Sequence, residues 1–397
     1  MMGKYILVLD AGTGAAKVSL FSFTGELVYS AYKEWHYVLP VPEDPEIREF
    51  DPDHFWGIFC RLIGECLSSS RVTPQEIAAV TSTSQREGIV LLDDRGREIY
   101  AAPNLDFRAR EQAEHLSQAC GEEIYHRAGH WPQAIFALAR LLWFKENRPE
   151  VYEKARTLLL INDWLLYKLS GEKVCEPSNA SETLLFNLKE IKWDEYLLDK
   201  FHLPPGLFPP VALLGDIIGT VTPKAAGETG ILVGTPVVVG GADTQCAVLG
   251  AGGYRPGHAV AVCGTSTPVQ SVVAQPLIDP QARIWTGCHV VPGQWVLDSN
   301  VRPSGVVYRW LRDTLYAPAG AGFEEMNEEA EQVPVGSNGV MSFLGPSISN
   351  VKDQIFYPGI IIGLKPGYEK YLSHRGFFTR SLLENIAYAV RGNMEQL

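Results

Sequence analysis

Leu7-Val8-Leu9-Asp10-Ala11-Gly12-Thr13-Gly14 ends an apolar strand on a carboxylate and turns at once through glycine and threonine. Far along the chain the pattern returns as Ala261-Val262-Cys263-Gly264-Thr265-Ser266, and between the two Val237-Val238-Val239-Gly240-Gly241-Ala242-Asp243 sets an acid after a third strand. A Gly-Thr turn offers backbone N–H groups and a hydroxyl with no bulky side chain in the way, which suits close approach of an anionic phosphate. One such turn is usually a hairpin and nothing more. Two of them with a candidate base describe a cleft that moves a phosphoryl group.

Outward from the first turn the chain reads as a β-meander: Tyr5 to Leu9, Lys17 to Phe23, a Thr24-Gly25-Glu26 turn, and Leu27 to Trp35. Asp51-Pro52 opens a helix, since Asp caps the first N–H groups and Pro fits the first helical position. Phe55, Ile58, Phe59, Leu62, Ile63 and Cys66 follow at helical spacing, and Ile77 to Thr83 and Ile89 to Asp93 read as strands. The order is βββαβ. From Glu111 to Leu169 the pattern is helical, with Leu138, Leu141, Leu142 and Phe144 on one stretch. Val151, Ala155, Leu158 and Leu159 are assigned to a second helix that Pro149 starts, and Gly171 stops a third. A Pro-rich break at Leu203–Pro210 precedes the strand leading to Asp243. Thr244 to Ala251 reads as a short helix, and strands resume at Ala259. The first domain is placed at 1–245 and the second at 246–397. The acidic stretch Glu324 to Glu331 reads as a solvated helix face.

A chain of 397 residues, 46% hydrophobic and 20% charged, exceeds one ordinary domain. A net charge of -12 without a basic patch argues against nucleic acid as a partner, so small molecules are expected. Seven scattered cysteines without CxxC or His-spaced patterns suit a reducing cytoplasm and no metal cage. No apolar run approaches the roughly 18 residues that span a bilayer, and no leader is visible before Tyr5, so no membrane partner is expected. A homodimer is left open.

Phosphoryl transfer needs an in-line acceptor oxygen, Mg²⁺ to offset charge and a group to take the acceptor's proton. Asp243, at the start of a helix, suits the last task, although simple N-capping is the alternative. Asp10 is placed to hold Mg²⁺ through water, against a turn-stabilising contact. Gly12 and Thr13 would approach the transferred phosphate, with Lys17 either a point charge or a solvent-facing residue. Gly264, Thr265 and Ser266 would hold the other phosphates. Arg86 and Glu87 follow a strand otherwise free of charge. Together they form either an internal salt bridge or a donor and acceptor set for vicinal oxygens. Trp143 and Trp164 read as core.

Asp10-Ala-Gly-Thr-Gly-Ala-Ala-Lys17, Gly240-Gly-Ala-Asp243 and Gly264-Thr-Ser266 resemble the first phosphate motif, the catalytic-base motif and the second phosphate motif of the FGGY carbohydrate kinases. Arg86-Glu87-Gly88-Ile89-Val90-Leu91, Asn104-Leu105-Asp106-Phe107-Arg108-Ala109, Arg140-Leu-Leu-Trp143, Asp163-Trp164-Leu165 and Pro177-Ser178-Asn179-Ala180 extend the resemblance along the chain. They point to the branch that acts on the linear form of autoinducer-2, a dihydroxypentanedione. Arg140 in place of Lys, the thirteen steps from Leu364 to Phe377, and Gln245 two residues after the acid also resemble that branch.

The resemblance implies an α/β fold of the actin and hexokinase type, with two ribonuclease-H-like domains around an ATP cleft, the second incomplete. It implies ATP as phosphoryl donor, Asp243 as base, and Arg86, Glu87, Asp106 and Gln245 at the acceptor. A pentulose such as xylulose is the alternative acceptor, and a nucleotide-binding module without transfer is the alternative class. Family members continue past the position of Leu397 into a Gly-rich adenosine segment, so this chain is expected to bind ATP weakly and to expose apolar surface.

Overall fold

The computed structural model describes residues 4–353, 358–364 and 375–397. Most of the stretch from Leu364 to Phe377, singled out above for its length, lies outside them. Strands β1 (Tyr5–Ala11), β2 (Ala15–Ser22) and β3 (Leu27–Glu34) form the antiparallel meander read from the sequence. Helix α1 (Pro52–Ser70) then crosses over, and β4 (Ile77–Ser84) returns parallel to β1. Asp51 caps α1, its carboxylate accepting from the N–H groups of Asp53 at 2.9 Å and His54 at 3.0 Å. The apolar face of α1, including Phe55, Ile58, Phe59, Ile63 and Cys66, joins the inward residues Leu7, Leu9, Val18 and Leu20 in one core. Alternation along the strands and the 3.6-residue period of the helix therefore bury the same side of each element.

The sheet grows on its other flank by Pro236–Val238, parallel to β4, and Ile217–Thr220, antiparallel to that, giving the order Ile217–Thr220, Pro236–Val238, β4, β1, β2, β3. A further parallel bridge joins Ser84 to Ala242. Three parallel neighbours consequently end on one edge, the edge where ligands bind in open α/β sheets. Asp10 closes the first, Gln85-Arg86-Glu87 follow the second and Asp243 follows the third. The third can come so close only because Gly240 lacks a side chain. A Cβ there would collide with the carbonyl oxygen of Ser82 and lie 2.9 Å from Thr81 Oγ1. Gly240→Ala is expected to lower the urea stability by about 1–3 kcal/mol through this overpacking.

A smaller sheet places Ile89–Leu92 between Glu98–Ala102 and Thr157–Leu160. The last strand corrects the helix expected through Leu158 and Leu159: the helix begun by Pro149 ends at Tyr152, and Thr157–Leu160 is a fully buried strand. A short run buried at every position carries no period, and pairing with Ile89–Leu92 decided its state. Gly171, at φ 80°, ends the helix Ile161–Ser170 as read.

By compactness the chain forms two units: residues 1–250 with 274–278 and 286–295, and residues 251–273, 279–285 and 296–397. In the second, Ala259–Ala261 pairs antiparallel with Ser266–Val273 through the Gly264 turn. The helix Gly305–Leu315 starts against that turn, Gly305 N–H donating to Gly264 O at 3.2 Å. The acidic helix Phe323–Glu331 buries only Met326 and Ala330 and exposes Glu324, Glu325, Glu328 and Glu331, as read, while Glu329 is half-buried and pairs with Arg375 Nη2 at 2.6 Å. All seven cysteines are free. No helix among the described residues is long and apolar enough to cross a membrane.

Candidate active site

The first Gly-Thr turn is held from behind. Trp35 Nε1 donates to Gly12 O at 3.1 Å, Tyr37 Oη donates to Thr13 O, and Gln85 N–H reaches back to Ala11 O at 2.9 Å. These contacts use the carbonyl side of the loop. Asp10 and Lys17 face each other across β1 and β2, with Lys17 Nζ 3.7 Å from Asp10 Oδ2. Burial pushes the Asp10 carboxyl up and Lys17 opposes the shift.

Asp243 opens the helix Asp243–Gly250. Its Oδ1 accepts from Thr244 N–H at 2.6 Å and Thr244 Oγ1 at 3.1 Å, so one oxygen does act locally on the helix start. The carboxyl is pushed up to about 6 by burial, with Arg86 opposing and Asp10 adding to the shift. The preceding turn is pinned on two sides. Thr83 Oγ1 donates to Gly241 O at 2.7 Å, and Ala242 N–H donates to Ser178 Oγ at 2.9 Å. Ser178 in turn donates to Glu176, whose buried carboxyl rises to about 7 because it is desolvated. Glu176 and Ser178 were not identified from sequence as site residues, although Ser178 lies in a stretch quoted for the resemblance.

Arg86 and Glu87 are both buried. Arg86 Nε stands 3.8 Å from Glu87 Oε1, while Arg86 Nη1 donates to Glu182 Oε1 at 3.3 Å. Glu182 also pairs with His130 Nε2 at 2.9 Å and accepts from Gln245 Nε2 at 3.4 Å. The salt-bridge reading of Arg86 and Glu87 is thus part of a larger network. Its further members, Glu182 and His130, lie far from Arg86 in sequence and left no local signal. Glu87 has φ 60°, a costly backbone for a side chain with a Cβ, and Gly88 N–H closes the turn onto Arg86 O at 2.7 Å. Arg140 explains how that backbone persists. Fully buried, it donates to Glu87 O, to Ile135 O at 2.6 Å and to Pro103 O at 3.2 Å. Lysine cannot reproduce this fork, so Arg140→Lys should raise the acceptor KM about tenfold in steady-state assays while leaving the protein folded.

Asp106 lies in the loop that follows Glu98–Ala102. It is wholly buried, taking hydrogen bonds from Tyr100 Oη, from Arg108 Nε at 2.7 Å and from Arg48 N–H at 3.3 Å. The loop folds back because these donors converge on its carboxylate. Arg108 also stacks on Trp143, 5.0 Å from the ring centre, and Trp164 is fully buried, its Nε1 bonded to Glu98. The structure therefore brings Asp10, Gly12, Thr13, Lys17, Arg86, Glu87, Asp243 and Gln245 to one region of the first unit. Gly264, Thr265 and Ser266 form their turn in the second unit, where Ser304 and Val306 N–H groups donate to Thr265 O.

Residues 5–250 match the N-terminal domain of the FGGY family of carbohydrate kinases. The chain belongs to that family. The FGGY chain is 33% identical over 405 residues to autoinducer-2 kinase of Escherichia coli strain K12, an alignment covering 99% of this chain and 76% of that protein. It is 34% identical over 407 residues to the autoinducer-2 kinase of Yersinia pseudotuberculosis serotype O:3, covering 100% and 76%. Among solved structures, xylulose kinase from Rhodospirillum rubrum superposes with a TM-score of 0.86 at 27% identity, over 99% of this chain and 79% of that one. Plasmodium falciparum glycerol kinase with ADP superposes at 0.82 and 20% identity over 100% and 79%, a likeness of fold. This FGGY kinase is a phosphotransferase of the carbohydrate kinases, with their actin- and hexokinase-like α/β fold.

Proposed function

We propose that this kinase transfers the γ-phosphoryl of ATP to a primary hydroxyl of a short polyhydroxylated carbonyl compound, the linear dihydroxypentanedione form of autoinducer-2, with Asp243 as general base. The observation that carries the reading is the position of Asp243. It follows the third of three parallel strands, feels the charges of Arg86 and Asp10, and has a carboxyl raised to about 6. A carboxylate raised toward neutrality is a better base than an ordinary one and is still ionised at the pH of a cell. Arg86 and Gln245 offer donors beside it, and the Oε1 of Gln245 is buried without a partner among the described residues, a position suited to an acceptor hydroxyl.

Mg²⁺ and ATP are the implied companions. No cluster of three or more His, Cys, Asp or Glu side chains able to hold a metal occurs among the described residues. Asp10 alone, half exposed beside the Gly12-Thr13 turn, fits an ion that keeps most of its waters and takes the rest of its shell from phosphate. When bound, that ion offsets phosphate charge. Gly12, Thr13 and Lys17 would receive the transferred phosphate, and Gly264, Thr265 and Ser266 the others. A base must be ionised to act. The acid limb of kcat/KM should therefore fall about tenfold per pH unit below the Asp243 value of about 6.

An acceptor panel tests the reading. Dihydroxypentanedione should be turned over with a higher kcat/KM than xylulose. The reverse order would make the chain a pentulose kinase, a reading favoured by the superposition on xylulose kinase. Nucleotide binding with no phosphoryl transfer to any sugar would leave a non-catalytic module.

A further inference from the structure

Two buried acids contend for one buried guanidinium. Arg86 stands 3.3 Å from Glu182 and 3.8 Å from Glu87, and none of the three is as much as a tenth exposed. Glu182 has a second partner. His130 Nδ1 lies 2.9 Å from Ala128 O, which can only accept, so Nδ1 carries a proton. Nε2 stands 2.9 Å from Glu182 Oε2, and the charge of Glu182, working against burial, holds the imidazole above its ordinary value. Gln245 adds a third donor to Glu182. Among the described residues the Glu87 carboxyl has the longer contact with Arg86 as its ion pair, and the charges of Glu182 and Asp243 both disfavour its ionisation.

The geometry points to a specificity device. Glu182, locked to His130, claims the charge of Arg86 and leaves Glu87 a neutral carboxylic acid that donates its O–H to a carbonyl oxygen of the acceptor. This rests on the reading that the site receives the acceptor. Two donors, Arg86 and the Glu87 O–H, then converge where a ketone oxygen, with two lone pairs and no hydrogen, satisfies both. A hydroxyl in the same place must also find a partner for its own proton. The titration of the pair agrees. Burial, helped by Glu182 and Asp243 and opposed by Arg86 and His130, lifts Glu87 to about 8. Glu182, against its own burial, is drawn down to about 2 by His130 and Arg86. Two carboxyls whose surroundings drive them apart have taken different roles.

The experiment compares dihydroxypentanedione with its fully reduced polyol, using the whole chain with ATP. Wild type should favour the dione by about tenfold or more in kcat/KM. Glu87→Gln keeps a neutral donor and should lose about tenfold less dione kcat/KM than Glu87→Ala, which removes it, whereas loss of an ionised carboxylate would cost about a hundredfold in both. Glu182→Gln returns Arg86 to Glu87 and should raise the dione KM about tenfold at nearly constant kcat, with the polyol little changed. A hundredfold loss in Glu87→Gln, or an equal loss on both acceptors in Glu182→Gln, overturns the inference and leaves the acceptor reading standing. Should Glu182→Gln not fold, the infrared difference between wild type and Glu87→Gln at neutral pH decides. A protonated-acid C=O band supports the inference, and its absence refutes it. Absence of turnover of either compound by the wild type removes the acceptor reading and this inference with it.

Discussion

Asp243→Asn is expected to lower kcat by about 10³-fold while the chain stays folded, in the range that positioned proton transfer contributes. The same variant should melt at a higher temperature than the parent above pH 6. The folded carboxyl is raised from 3.8 to about 6, so the native state holds the proton more tightly than the unfolded chain does. Stability from this group is complete below the unfolded value and is lost as pH rises through the folded one. Asparagine removes the ionisation and with it that loss. Differential scanning calorimetry at pH 5 and pH 8 reads the effect: the gap between variant and parent should open as pH rises. Unchanged turnover, or a variant that melts lower at pH 8, would remove Asp243 from the role of a base whose carboxyl burial has raised.

Arg86→Gln should be the most damaging single change at the acceptor end. Removing the guanidinium leaves Glu182 with His130 and Gln245 and deprives Asp243 of a positive charge that favours its ionised form. Breaking a buried pair in this way typically costs about 3–5 kcal/mol, which urea titration would show, and acceptor binding by calorimetry should weaken about a hundredfold or more. The loss has a pH signature. Glu182, held low at about 2 in the native protein, contributes stability that is present above its unfolded value near 4.5 and disappears as pH falls through the folded one. Parent and variant should therefore converge in stability as the pH is lowered below about 4.5. A constant difference across that window would mean that Arg86 acts by packing and not by charge.

Much of this was legible in the residues. The meander and its crossover could be read because alternation in Leu7 to Ala11 and Val18 to Leu20, and the helical spacing of Phe55 to Cys66, are local patterns with definite periods. Asp51 as cap and Gly171 as stop are likewise local chemistry. The strand Thr157–Leu160 was not legible, since a threonine and three leucines, all buried, have no period to read. Asp106 shows the converse problem. The polar stretch around it carries no sign that Arg48, Tyr100 and Arg108 converge on its carboxylate.

The sequence by itself determined the three strand-to-turn motifs, their order and the identity of the acid at the end of the third. Strand, glycine and carboxylate are written contiguously, and their meaning depends on near neighbours. Only the tertiary structure decided that Glu182 and His130 join Arg86 and Glu87, that Ser178 and Glu176 stand behind the base, and that Arg140 holds the Glu87 turn. Burial removes water as a partner for every polar group, so each must find its counterpart within the fold, and no local pattern records which distant residue that will be.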